Sequence, residues 1–293
     1  MKGLRLTTLF VAGLFMVGIT LLTNTTLAEE KSADEVAKEL SNPAGSLSSL
    51  NFNLQYTDYT GDFPDSHDEE STAVIFQPVF PFPVGDQGRR VIFRPAITVP
   101  FDQPVIDAAK NDFDDADVGL ADITFDLVYA GTEMTSKQDG YLWGLGMAGT
   151  FPTATDDDLG GDQWRLGPEL FGGIIREWGL VGALVSNQWD MGGSNDTYYS
   201  AMTAQYFYAY GLGNGWQIAS SPIITYDWEA DSDDALTLPL GFGVAKTTKI
   251  GNTPWKFAFQ IQKYVVQPDT FGPDWLVKLT ITPVIKNPFT SLF

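Results

Sequence analysis

The chain has 293 residues, no cysteine, 37 acidic against 17 basic residues and a formal net charge of -20. That balance argues against a nucleic-acid partner, whose backbone needs Lys and Arg, and against docking on an anionic lipid face; the missing cysteines rule out a disulfide scaffold. Only 18% of the residues are charged while Gly and aromatics are plentiful, a mix that suits a barrel with lipid outside and a tapered interior.

In chain order, residues 1–28 read as a signal peptide. Lys2 and Arg5 form its basic end, Leu9 to Leu22 its apolar run, and Thr26-Leu27-Ala28 its cleavage site. The apolar run is short for a membrane span, and no later stretch reaches the eighteen or so apolar residues that a membrane helix needs. Residues 29–48 form an N-terminal helical segment. Its helix runs from Lys31 to Leu40, with Ser32 and Glu35 as a capping box and Asn42-Pro43 as the stop.

Residues 49–293 are expected to form an all-β domain. Twelve strand-like stretches begin with Ser49–Tyr59, Ser71–Phe80, Arg90–Val99 and Gly119–Tyr129, and end with Trp255–Val266 and Trp275–Ile285. Many alternate with period two, the mark of a strand with one apolar and one polar face. In the last one Trp275, Val277, Leu279 and Ile281 oppose Lys278, Thr280 and Thr282. It has about the ten residues that a tilted transmembrane strand requires. Aromatics flank it as in a membrane girdle. The chain stops on Phe293, a terminal-strand ending of the kind the bacterial barrel-assembly machinery reads.

An even strand number brings both ends of the chain to the periplasmic side. The outward connections are then those after the odd strands. They hold well over half of the acidic residues and only one basic residue, Lys110. The inward connections include the tight REWG and GLGNG turns; those after strands two and four are longer and fit less well. A β-sandwich gives no reason for acid to segregate to alternate connections. The expected architecture is an antiparallel transmembrane β-barrel of about 12 strands with a short N-terminal helix, in the outer membrane of a Gram-negative bacterium.

Several segments resemble a bacterial family named for the meta pathway of phenol degradation, whose members often carry a misleading neuromedin U label. The matching stretches include DEVAKELSNPAGSL, FQPVFPF, FRPAITVPF, VGLADITFDLVY, PTATDDDLGGDQWRLGPE, GWQIASSPIITYDWEA and FGPDWLVKLTITPVI. The resemblance implies an outer-membrane barrel of the fatty-acid-channel superfamily and transport of small molecules. Aromatic or hydrophobic solutes are implied by it alone.

Alternation sends Gln77, Arg94, Asp122, Asp126, Arg165, Glu169, Gln205, Gln260 and Lys278 into the lumen. Such a set fits a paired polar filling and equally a polar track for solute. The runs Asp114, Asp115, Asp117 and Asp156, Asp157, Asp158 offer oxygen ligands for calcium but lack an EF-hand loop. No cofactor is expected. Catalysis is not expected either: the single histidine, His67, sits next to Ser66 on an acidic loop without a third orienting group. The expected function is passive uptake of small molecules, with outer-membrane lipid, lipopolysaccharide, the barrel-assembly machinery and a small-molecule solute as partners. The competing reading is a non-transporting surface barrel whose acidic loops bind cations.

Overall fold

The computed structural model describes residues 31–85, 87–195 and 197–289. The signal peptide with its cleavage site and the terminal Phe293 lie outside the described residues. Among the described residues one α-helix, α1 (Ala33–Ser41), precedes fifteen strands. The first eight are β1 (Ser48–Thr60), β2 (Glu70–Val84), β3 (Arg89–Asp102), β4 (Pro104–Asp107), β5 (Asp112–Asp115), β6 (Ile123–Met134), β7 (Gly140–Phe151) and β8 (Gln163–Arg176). The others are β9 (Gly179–Gly193), β10 (Ser200–Gly213), β11 (Trp216–Ser220), β12 (Ile223–Asp227), β13 (Leu236–Ile250), β14 (Thr253–Val266) and β15 (Gly272–Ile285).

β4 and β5 make a separate hairpin. β11 and β12 are two halves of one wall strand, since both lie between β10 and β13. The result is a closed antiparallel barrel of 12 strands, sealed where β1 pairs with β15. Among the described residues no helix is long and apolar enough to cross a membrane.

The outer wall carries the apolar side of the alternation. Leu145, Leu170, Leu240, Phe242 and Leu279 are all exposed there. Tyr129, Tyr141, Trp178, Tyr210 and Trp216 ring one end, while Trp164, Trp189, Tyr198, Trp228 and Trp275 ring the other. An apolar band between two aromatic girdles is the surface a barrel presents to a bilayer.

The two ends differ. Among the described residues, one end has short connections between Val84 and Arg89 and at 135–139, 177–178, 214–215 and 251–252. The connections expected to be long after strands two and four are among them, because β2 and β6 keep pairing as far as Val84 and Met134. The other end carries the acidic connections and the β4–β5 hairpin. Ring contacts pin that hairpin: Phe113 lies 5.1 Å from Phe63 and 4.7 Å from Phe271, centroid to centroid, and Phe271 stacks on Tyr59 at 4.7 Å.

One wall strand is interrupted, at Ser221-Pro222 between β11 and β12. Proline has no amide hydrogen to give a ladder; Pro78, Pro95 and Pro168 are accommodated inside wall strands, whereas at Pro222 the strand is broken. The carbonyls of β13 facing the break are met by tyrosines instead. Tyr206 donates to Pro239 O (2.8 Å) and Tyr208 to Gly241 O (2.9 Å). Gly241 has no room for a side chain, since a Cβ there would stand 2.5 Å from both Pro222 Cγ and Ser220 Oγ.

Candidate functional site: the barrel lumen

The lumen floor is α1. Its capping box is formed as the sequence indicates: Glu35 N donates to Ser32 Oγ, and Ser32 N to the Glu35 carboxylate. Val36 and Ala37 are buried. The helix is tied to several parts of the turn end. Lys38 Nζ donates to Arg176 O (2.6 Å) and Lys256 Nζ to Ser41 Oγ (2.8 Å). The Asp34 carboxylate accepts from Asn214 N (3.1 Å) and Gly215 N (2.5 Å). That turn has positive φ at both residues, 54° and 78°, the two-residue hairpin geometry that favours Asn-Gly. Burial works against the Glu39 carboxylate, but hydrogen bonds from Lys31 and Ser46 outweigh it and hold its pKa below the usual carboxylate range.

Above the floor, on the β2–β11 side of the lumen, lies an apolar cluster that includes Ala44, Ile92, Val128, Phe171, Leu180, Leu184 and Phe207; the wall opposite carries Asn51, Lys256 and Thr282. Above that comes a polar zone. Together they bound a cavity of about 550 Å³ that reaches from Ser41 and Asn42 up to Gln55, Thr98 and Gln188.

Gln77, Arg94, Asp126, Glu169, Gln205, Gln260 and Lys278 all line this cavity. Pairing followed round the wall returns to β1 about 14 residues from its start, the shear that tilted strands impose on a barrel. Each step between strands thus shifts the level by a little over one residue. With that shift applied, the seven residues fall within roughly 5 Å of one height. They form one belt, and Asn53 and Ser221 complete it. β8 and β15 stand six strands apart in either direction, so Glu169 and Lys278 occupy opposite walls at the same level.

The charges in the belt are unevenly matched. Arg94 Nε donates to Asp126 Oδ2 at 2.6 Å. Glu169, only 1% exposed, lies within electrostatic reach of both. Neither of its carboxylate oxygens meets a hydrogen-bond donor among the described residues. The Lys278 ammonium likewise has no hydrogen bond or ion pair among the described residues. Amides are more settled: Gln260 Oε1 accepts from Ser220 Oγ (2.9 Å) and Ser221 N (3.1 Å), and Gln205 Nε2 donates to Ser221 O (3.3 Å).

Asp122 and Arg165 stand elsewhere. β6 begins only at Ile123, so Asp122 belongs to a loop. Its carboxylate accepts from Thr153 N and Ala154 N (both 3.0 Å) and Gly161 N (2.9 Å), which staples the β7–β8 connection. Arg165 lies beside a register shift in β8. Its guanidinium stacks on Tyr199, 3.8 Å from the ring centroid. Sequence reasoning missed Lys256 and Asn53 as lining residues, although both fall on the polar side of alternating strands.

The calcium candidates do not converge. Asp114 pairs with Lys110 (2.5 Å), and Asp156 caps a 3-10 turn at Asp157–Leu159 by accepting from Asp158 N (3.1 Å). Asp115 and Asp117 join no such site, and among the described residues no three acidic or His side chains are grouped as for a metal ion. In the Ser66-His67 pair, Ser66 Oγ donates to Phe63 O (2.6 Å) while His67 Nδ1 lies 3.0 Å from Thr60 Oγ1.

Fold and lumen together define a closed twelve-stranded barrel of the outer-membrane type with a polar, helix-floored interior. An outer membrane channel from Pseudomonas putida F1 is similar, with TM-score 0.58 and 14% identity over 82% of this chain and 94% of that one. Outer membrane phospholipase A from Escherichia coli is also matched, with TM-score 0.44 and 9% identity over 87% of this chain and 98% of that one. No protein-family model and no curated sequence matches the chain. The likeness is one of fold. It supports the resemblance read from the sequence at the level of the barrel fold, and the phenol-pathway family name is not confirmed. The sequence expectation that the chain is not an enzyme is corrected to an open one: a phospholipase stands among the matched barrels.

Proposed function

We propose that the protein is an outer-membrane channel through which small molecules pass down their gradient. One observation carries this reading. The interior is a cavity of about 550 Å³ lined by a belt of amides and charges, where a purely structural barrel would have its interior packed. In this reading residues 1–28 direct export and are removed, 29–48 form the lumen floor, and 49–293 form the wall. The assembly machinery inserts the chain. The apolar band meets lipid, and the acidic connections face the lipopolysaccharide side.

The apolar cluster that includes Ile92, Val128, Phe171 and Phe207 lies below the charged belt on the β2–β11 side. That order suits solutes with an apolar or aromatic body and a charged end. Single-channel recording from purified protein in planar bilayers tests the proposal. Discrete conductance steps support it, and a folded protein that never conducts refutes it.

A further inference from the structure

This inference rests on the channel reading and names the solute class. We propose that the belt is a binding subsite for zwitterions, with a solute ammonium drawn to Glu169 and a solute carboxylate to Lys278.

Three observations converge. First, one guanidinium serves two carboxyl groups on the β6–β8 side: Arg94 makes its hydrogen bond to Asp126, and the buried Glu169 lies against the Asp126 carboxyl with no N–H or hydroxyl donor of its own among the described residues. A carboxylate in such a wall is costly unless a cation or donor meets it. The neighbouring strand β7 presents only Gly144, Gly146 and Ala148 on this side, and none of them offers the carboxylate a side-chain donor.

Second, the opposite wall has the reverse surplus. Lys278 is free of protein partners among the described residues, and Lys256 is bound only to a neutral hydroxyl, Ser41 Oγ. Third, register places Glu169 and Lys278 at equal height on opposite walls. The field therefore runs across the passage, with its negative end at β8 and its positive end at β15. A monovalent ion is attracted at one wall and repelled at the other. A molecule carrying both charges gains at both walls when it lies across the lumen, and a low-dielectric wall amplifies both gains.

The test uses three solutes of one length: 6-aminohexanoate, 6-acetamidohexanoate (anion only) and 6-aminohexanamide (cation only). Each is titrated calorimetrically into the folded barrel in detergent and then applied to single channels. The zwitterion should bind, and interrupt current, at a concentration at least tenfold below that of either analogue. Glu169→Gln should weaken zwitterion and cation binding tenfold and leave the anion unchanged. Lys278→Met should do the reverse. If Glu169→Gln fails to show heat-modifiable gel migration, Lys278→Met alone decides.

Equal binding of the three solutes, no binding of any, or indifference to both substitutions overturns the subsite. A protein that conducts but does not discriminate refutes the subsite and keeps the channel. A protein that discriminates but never conducts refutes the channel and keeps the subsite.

Discussion

The Tyr208 hydroxyl of β10 donates to the Gly241 carbonyl of β13 at 2.9 Å, across the strand that should separate them. It does so where Ser221-Pro222 interrupts that strand. Tyr208→Phe leaves a wall carbonyl without a donor, and an unsatisfied buried acceptor costs roughly 1–3 kcal/mol. Urea unfolding in detergent should show a loss of that size. An unchanged midpoint would mean that water or lipid headgroups already satisfy Gly241 O.

The helix floor is predicted to be insensitive to mild acid. The Glu39 pKa is lowered in the folded state from a reference of 4.5. A lowered carboxylate pKa contributes stability that is complete above the unfolded value and is lost as pH falls through the folded one. Hydrogen exchange of α1 should therefore be flat from pH 7 to about 5, once corrected for intrinsic rates, and protection should fall only below about 4.5. Glu39→Gln should remove the pH dependence. Loss of protection between pH 7 and 5 would assign the latch to another group.

Lipid-facing and lumen-facing positions on β15 should tolerate charge differently. Leu279 points out and is half exposed, while Thr280 lines the cavity and donates to Asn53 Oδ1 at 2.7 Å. Leu279→Arg should cost roughly 2–4 kcal/mol in a bilayer, and Thr280→Arg clearly less. Unfolding in lipid vesicles measures both, and equal losses would reverse the facing.

The acidic connections are predicted to face outward. Cysteines placed at Asp157 and at Asn214, in a chain that has none of its own, lie at opposite ends of the barrel. An impermeant maleimide on intact cells should label the first and spare the second. The opposite pattern would invert the barrel in its membrane.

Much of this architecture is legible in the residues because a barrel wall imposes period two on every strand. Arg94, Asp126, Glu169 and Lys278 could be aimed inward from their apolar neighbours alone. Asp122 sits where that rule lapses, just before β6 begins, so local backbone contacts set its direction, while Arg165 keeps its register with Thr150 but stands above the belt, stacked on Tyr199. The belt itself could not be read, because equal height depends on the shear accumulated over twelve strand pairs. The wall break had a visible sign in Ser220-Ser221-Pro222, a proline inside an alternating run, yet its tyrosine seal pairs residues more than thirty positions apart.

The passage itself is tested most directly by reacting one belt residue during current recording. Gln205→Cys places a thiol on the lumen wall at belt height, and Leu240→Cys places one on the exposed outer face. A positively charged methanethiosulfonate added to open channels should reduce the current through Gln205→Cys and shift its reversal potential toward anions. It should leave Leu240→Cys unchanged. A Gln205→Cys channel that reacts fully, as checked by mass, and conducts as before would contradict passage through this lumen.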